Sequence, residues 1–171
     1  MNSSSERRSI VIACVAGVIV LAVAGVSLAG LKRVDRREQC LWNLSRIGMV
    51  VIAAEPRKAA EWDRIGTGRL FFRDFEEWPG PPTFPFDPRW FCCPEVGKAV
   101  PGRIDYRGPV TSIRGLDKEE PVVADKPGNH GAGEGGNIVF RSGAARSVPE
   151  SDPAWTRAAA TTSDREDPKK P

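Results

Sequence analysis

The sequence predicts an α+β protein in which a long N-terminal helix leads into a small domain of short strands. Three observations predict this: residues 9–31 are a continuous apolar run, residues 32–54 keep a helical pattern, and residues 138–148 have the pattern of a β-hairpin. The chain has 171 residues. About 115 of them remain for one small domain after the apolar run and a C-terminal tail are set aside.

The apolar run contains no charge, no proline and no aromatic residue. At about 1.5 Å per residue a helix of this length reaches roughly 34 Å, enough to cross a hydrocarbon core of about 30 Å. We therefore predict a transmembrane helix over residues 9–31, after a polar leader at residues 1–8. A cleaved signal peptide is the alternative, because Ser27-Leu28-Ala29 offers a small-residue site, although signal cores are usually only about 7–15 residues long.

The charge pattern suits a membrane surface better than a nucleic acid. A net charge of +3 is too small to indicate nucleic-acid binding. Basic residues flank the apolar run on both sides, which suits anionic lipid head groups. More of them follow the run than precede it, so the positive-inside rule would place the C-terminal domain in the cytoplasm. The residues concerned are Arg7 and Arg8 before the run, and Lys32, Arg33, Arg36 and Arg37 after it.

Residues 32–54 have the pattern of an amphipathic helix. Apolar residues recur in steps of four and three, which places them on one face. These residues are Cys40, Leu44, Ile47, Val51 and Ala54. Pro56 ends the helix, because the residue before a proline is pushed out of α geometry.

The remaining chain alternates loops with short strands. Leu70–Phe72 and Phe75 suit a short strand or a helical turn, and residues 78–90 are a proline-rich connector. The chain then contains strand candidates at Ile104–Tyr106, Val110–Ile113 and Pro121–Ala124, a glycine-rich loop at 127–137, and a hairpin with strands at 138–140 and 144–148. Residues 149–171 are polar and contain several prolines, so we predict a disordered tail there.

Several of these segments resemble motifs of type IV pilin-like, or pseudopilin-like, proteins. Gln39–Ala54 is similar to the C-x-x-N-L-x-x-I-G-x-A stretch of that family. Asp125–Gly131 together with Gly135–Phe140 resembles its NHG…GGN-hydrophobic signature. Phe91-Cys92-Cys93-Pro94 resembles its F-x-C-P element, and Asp105-Tyr106 lies where a tyrosine strand is common. The matching segments occur in the expected order and cover about a third of the chain.

The resemblance implies a pilin-like fold, with a long helix whose outer half packs on a small antiparallel sheet. It implies a non-enzymatic, single-pass inner-membrane protein that serves as a structural or accessory subunit of a type IV filament or secretion-like system. Its partners would be the lipid bilayer and other pilin-like subunits. The domain at residues 32–148 would lie outside the cytoplasm, which is the opposite of the location that the positive-inside rule gives. The alternative is a membrane-anchored extracytoplasmic domain that binds a ligand or an ion.

The chain departs from the family at two points. Arg8-Ser9-Ile10-Val11 lacks the glycine of a prepilin cleavage site, and residues 9–31 lack the glutamate that supports assembly in that family. The family's A-D-G-H turn is replaced by Arg141-Ser142-Gly143-Ala144. The missing glycine and glutamate therefore favour a helix that stays anchored over a processed filament subunit.

The family layout also implies that Cys40 lies close to Cys92 and Cys93. We therefore predict a disulfide from Cys40 to Cys92 or Cys93, which in an oxidising compartment would contribute about 2–4 kcal/mol. Three reduced thiols are the alternative.

The sequence predicts neither a cofactor nor a catalytic set. His130, with Asp125 and Glu134 nearby, is the one candidate for a metal site. One imidazole and two carboxylates in a glycine-rich loop are not specific for a metal, so we favour a loop histidine that bonds to the backbone. The loop at 131–136 lacks the Lys-Ser/Thr end of a phosphate loop, and no Ser/His/Asp or Cys/His spacing indicates an enzyme.

Overall fold

The computed structural model describes residue 18 and residues 30–52, 66–76 and 87–165. The chain divides into two compact units, residues 1–35 and residues 36–171. In the first unit the described residues are Val18 and residues 30–35, and all of them are helical. The second unit holds the sheet and the buried side chains that pack on it.

A helix begins the second unit and supplies one wall of its core. Residues 36–52 are helical and are called α1 here. The predicted stripe is confirmed as far as residue 52, because Cys40, Leu44, Ile47 and Val51 are fully buried. Residues 53 and 54 of the predicted helix lie outside the described residues. The stripe packs in a cluster with sheet residues and with aromatic side chains, among them Phe71, Phe72, Phe91, Tyr106, Val123 and Val139.

The sheet has five antiparallel strands in the order β4-β3-β2-β1-β5. The strands are β1 (Tyr106–Pro109), β2 (Pro121–Asp125), β3 (Gly136–Phe140), β4 (Ala145–Val148) and β5 (Thr162–Ser163). The predicted hairpin is confirmed as β3–β4, with Gly143 at a φ of 79° in its turn. Gly48 of α1 lies against this turn, where an added Cβ would collide with the carbonyl oxygen of Gly143.

The first strand differs from both candidates predicted around it. We predicted strands at Ile104–Tyr106 and Val110–Ile113, whereas the structure has β1 at Tyr106–Pro109 and a 3-10 turn at Ile113–Gly115. β1 contains Arg107 and Gly108, so it has no apolar alternation that would reveal it. Pairing with β2 on one side and β5 on the other defines this strand.

Two further helical segments complete the unit. Residues 70–72, predicted as a strand or a helical turn, belong to helix α2 (Arg69–Glu76). A 3-10 helix at Pro88–Phe91 is capped by Asp87, whose side chain accepts a hydrogen bond from the Arg89 N–H at 3.0 Å. The rest of the predicted proline-rich connector, residues 78–86, lies outside the described residues.

The predicted disordered tail is ordered as far as residue 165. Helix α3 (Pro153–Thr161) begins at Asp152, whose carboxylate accepts a hydrogen bond from the Ala154 N–H at 2.7 Å. Trp155 and Ala158 of this helix are buried in a second cluster with sheet residues. A proline at the first helical position and an aspartate cap explain this helix, because both favour helix initiation. Residues 166–171 lie outside the described residues.

The predicted fold class was wrong in its membrane-spanning helix. Among the described residues, no helix is both long enough and apolar enough to cross a membrane. The helical residues 36–52 carry Arg36, Arg37, Glu38 and Arg46, so their apolar character is confined to one face. The predicted span at residues 9–31 lies outside the described residues, apart from Val18, Gly30 and Leu31, as does the leader at residues 1–8. The described architecture is an antiparallel five-stranded sheet with helices, an α+β arrangement.

Candidate metal centre

Four separate segments bring potential metal ligands to one buried point. Cys40 lies in α1, Cys93 follows the 3-10 helix at 88–91, Asp125 ends β2, and His130 lies in the loop between β2 and β3. Their ligand atoms all lie within 4.8 Å of one another. The first three residues are 0% exposed and His130 is 3% exposed. We call these four residues the Cys2AspHis cluster.

Asp125 is the centre of the hydrogen bonding in the cluster. Its Oδ1 accepts from the Cys40 thiol at 3.3 Å and from the Asn129 amide at 3.2 Å. Its Oδ2 accepts from the backbone N–H of Asn137 at 2.6 Å and lies 2.7 Å from His130 Nε2. A fully buried carboxylate needs such partners, because an unpaired buried charge is strongly destabilising.

His130 is held from both its ring and its backbone. Burial lowers the pKa of His130, but the hydrogen bond to Asp125 and the charges of Asp125 and Cys93 raise it overall. The Nε2 atom also lies 3.2 Å from the side-chain amide of Asn137. Arg37 of α1 donates to the His130 carbonyl at 2.8 Å and forms an ion pair with Glu134. The β2–β3 loop is thereby attached to α1.

The two thiols of the cluster are in different protonation environments. The pKa of Cys93 is lowered, chiefly by its side-chain hydrogen bond with Cys40. The pKa of Cys40 is raised, first by that hydrogen bond, then by burial and by the negative charge of Asp125. Tyr106 lies 3.4 Å from the Cys40 sulfur, and its pKa is raised well above the ordinary value, first by burial.

The neighbouring cysteine points to a different place. Cys92 Sγ lies 3.4 Å from the carbonyl oxygen of Arg103, and it is not part of the cluster. The backbone N–H of Cys93 donates to Asp105 Oδ2 at 2.9 Å, and Arg103 pairs with the same carboxylate at 2.9 Å. These contacts fix the chain so that Cys93 faces α1, whereas Cys92 does not.

The structure joins residues that the sequence analysis treated separately. Of the three metal candidates, Asp125 and His130 lie together, whereas Glu134 pairs with Arg37 and is part-exposed. The His130 ring lies 2.7 Å from the Asp125 carboxylate, whereas we had expected a loop histidine that bonds to the backbone. The sequence did not predict that this pair lies beside Cys40 and Cys93.

Cys40, Cys92 and Cys93, the cysteines in the described part of the chain, carry free thiols. Of the two predicted partners of Cys40, Cys93 is the one in the cluster with it. A disulfide between them stays a prediction. One signal in the sequence could have indicated a four-residue site. It is the resemblance that placed Cys40 near Cys92 and Cys93, combined with the pair Asp125 and His130.

The donor set suits a soft or borderline metal ion. Thiolate and imidazole ligands favour Zn²⁺ and related ions over Mg²⁺ and Ca²⁺, which prefer oxygen. With bond lengths of about 2.0–2.3 Å, a tetrahedral zinc site has ligand atoms roughly 3.3–3.8 Å apart. Ligand atoms within 4.8 Å of one another are therefore at most about 1.0–1.5 Å farther apart than in that geometry. Side-chain rotation can move the ligand atoms by this distance without a change of fold.

Comparison with known proteins gives no match: no family model fits the chain, and no curated protein or solved structure is similar to it. The similarity to pseudopilins therefore stays a prediction from sequence motifs. A functional argument for this chain depends on the geometry of the Cys2AspHis cluster.

Proposed function

We propose that the second unit is a structural zinc-binding domain. The observation that supports this is the convergence of Cys40, Cys93, Asp125 and His130, four buried side chains with ligand atoms within 4.8 Å. Two thiolates, one imidazole and one carboxylate make a complete zinc ligand set.

A hydrogen-bonded network without metal is the competing explanation. Asp125 is well satisfied by protein donors. Cys40 can donate its proton to Asp125 while its sulfur accepts from the Tyr106 hydroxyl. Thiols are weak hydrogen-bond partners, so such a network gains less from its two sulfurs than a metal site would.

The site is of the structural kind and not the catalytic kind. Catalytic zinc usually keeps one position for water or substrate, whereas structural zinc is enclosed by four protein ligands. All four ligands here come from the protein, and all are buried. Because they come from α1, a loop, a strand end and the β2–β3 loop, a bound ion would link the helix to the sheet.

The surroundings resemble the outer shell of a metal site. Arg107 Nε donates to the carbonyl oxygen of Asp125 at 2.9 Å, and Arg37 donates to that of His130 at 2.8 Å. Zinc with two thiolates and a carboxylate carries a net charge of about −1, which the Arg107 guanidinium would balance, since that of Arg37 already pairs with Glu134.

Metal content tests the proposal directly. The full chain is purified under reducing conditions, dialysed against metal-free buffer, loaded with zinc, and measured by inductively coupled plasma mass spectrometry. We expect one zinc per chain. Replacement by Co²⁺ should give thiolate-to-cobalt charge-transfer absorption, which reports sulfur ligands specifically.

The adjacent cysteine provides a matched control. Cys93→Ser should lose stoichiometric zinc and the charge-transfer band, and Cys92→Ser should keep both, because Cys92 lies outside the cluster. Equal loss in the two variants, or a wild-type chain that retains no zinc, would refute the site. If thiol blocking and non-reducing mass spectrometry show a disulfide between Cys40 and Cys93 in the native chain, the predicted disulfide holds in place of the metal.

This proposal shares ion binding with the second function predicted from the sequence, a membrane-anchored extracytoplasmic domain that binds a ligand or an ion. A subunit of a type IV filament or secretion-like system stays a prediction. Crosslinking in cells tests it, because ladders of subunits are expected for an assembling protein and a lone monomer for a binding domain.

A further inference from the structure

A second site lies on the polar side of α1, away from the zinc ligands. Arg36, Gln39, Asn43 and Arg46 follow steps of three, four and three, so they share one helix face. This face forms one wall of a cavity of about 560 Å³. The opposite wall comes from the 3-10 helix and the loop after it, with Asp87, Arg89, Trp90, Cys92, Pro94, Gly97, Lys98 and Ala99.

The cavity is positively charged. Its lining contains four cations and a single carboxylate, Asp87. That carboxylate is already occupied by Arg89, through side-chain hydrogen bonds of 2.6–3.0 Å. Among the described residues, Arg36, Arg46 and Lys98 form no ion pair, although Arg46 lies 5.4 Å over the Trp90 ring and its charge helps to lower the pKa of Asp87. Arg36 and Lys98 therefore remain for an anion, and Arg46 adds positive charge beside them.

The cavity walls are held in place before any ligand arrives. The Asn43 amide donates to the Cys92 carbonyl at 3.1 Å, which fixes α1 against the loop. The Gln39 amide donates to Asn43 Oδ1 at 3.2 Å. A preformed site binds more tightly, because less conformational freedom is lost when the ligand enters.

We propose that this cavity binds a phosphomonoester carried on a small organic body. Guanidinium groups match the geometry of phosphate oxygens, and Lys98 adds a point charge. A volume of about 560 Å³ lies in the range of small-molecule sites and far exceeds one phosphate group. Trp90, Pro94 and Ala99 provide apolar contact for the organic part. A soluble phosphate ester and a lipid head group share this chemistry.

The site is separate from the proposed zinc site. None of the four zinc ligands lines the cavity. The phosphate proposal therefore goes beyond the metal proposal, and either can fail without the other.

Calorimetric titration of the full chain, as purified, with sn-glycerol 3-phosphate tests the soluble form of the ligand. The variant Arg36→Gln with Arg46→Gln removes two cavity cations and keeps the side-chain bulk. The control, Lys118→Gln with Arg157→Gln, removes two exposed cations elsewhere. We expect at least about tenfold weaker binding for the cavity variant and wild-type affinity for the control. Unchanged zinc content and thermal midpoint show that both variants fold.

A second arm tests the lipid form, with vesicles of phosphatidic acid in phosphatidylcholine compared with phosphatidylcholine alone. If binding to glycerol phosphate is lost in the cavity variant and kept in the control, the proposal is supported and the ligand is a soluble phosphate ester. If only phosphatidic acid vesicles show this pattern, the proposal is supported and the ligand is a lipid head group. Equal loss in both double variants overturns it, because diffuse net charge then explains binding. Absence of binding to both probes in the wild type overturns it as well.

Discussion

Replacing Asp125 by asparagine tests the arrangement at the centre of the cluster. The aspartate accepts on two oxygens from Cys40, Asn129 and Asn137, and pairs with His130. An asparagine has the same shape but keeps only one oxygen, and it presents N–H groups where the other oxygen stood. At least one donor of the cluster must then face another donor.

The magnitude follows from these contacts. If the amide nitrogen replaces Oδ1, it meets the Asn129 amide, and turning that amide over would lose its 2.8 Å bond to the Asp105 carbonyl. A hydrogen bond to a charged group contributes about 1.5–3 kcal/mol, and leaving a buried donor unsatisfied costs about 1–3 kcal/mol. We expect Asp125→Asn to lower the free energy of unfolding by about 3–5 kcal/mol. For a chain of this size the thermal midpoint falls by roughly 10 °C.

The assay is denaturant and thermal unfolding of the full chain, followed by circular dichroism with a metal chelator present. The chelator separates the hydrogen bonds from any contribution of zinc. Asp117→Asn is the matched control, because Asp117 is exposed, and it should stay within about 0.5 kcal/mol of the wild type. An Asp125→Asn chain as stable as this control would contradict the reasoning.

Three further predictions concern zinc binding, the tight packing around Gly136 and the C-terminal helix α3. Zinc at 100 times its dissociation constant should stabilise the wild type and Cys92→Ser by about 2.7 kcal/mol in unfolding titrations, with no shift for Cys93→Ser. Gly136→Ala should lower the free energy of unfolding by about 1–3 kcal/mol, because its Cβ would come within 2.8 and 2.9 Å of neighbouring side chains. The same assay should show little change for Gly115→Ala, which has nothing within 4 Å. Trp155→Ala should cost about 3–5 kcal/mol, whereas equal stability would restore the idea of a disordered tail.

The elements that the sequence predicts correctly are those with a local period. The stripe at Cys40, Leu44, Ile47 and Val51 has helical spacing, and every member is buried in α1. The β3–β4 hairpin has an apolar run, a glycine turn and a second strand within a short stretch. Both patterns can be recognised because neighbouring residues share one environment.

The elements that the sequence analysis missed depend on distant partners. Strand β1 has no apolar alternation, and its register, with Tyr106 opposite Asp125, exists only through β2. Helix α3 is short and alanine-rich, and its burial comes from Trp155 packing with sheet residues. The Asp152-Pro153 start was the available signal for this helix.

For the same reason, only two of the four residues in the Cys2AspHis cluster were identified from the sequence as candidate metal ligands. Asp125 and His130 are close in sequence and were recognised as candidates, but their two sulfur partners come from elements far along the chain. No C-x-x-C spacing marks Cys40 and Cys93 as a pair, and only the packing of α1 on the sheet joins them. Glu134 was chosen for its proximity in sequence, and the structure uses it to hold Arg37.

The distribution of the four ligands along the chain also sets an order of events during synthesis. Cys40 leaves the ribosome first and His130 last, 90 positions later. At about 5–20 residues per second, that interval lasts roughly 5 to 20 s. During it the thiol of Cys40 has neither its histidine partner nor the complete sheet that buries it. The nascent chain is therefore exposed to oxidation or to capture of a wrong metal at Cys40 until residue 130 and the strands after it emerge.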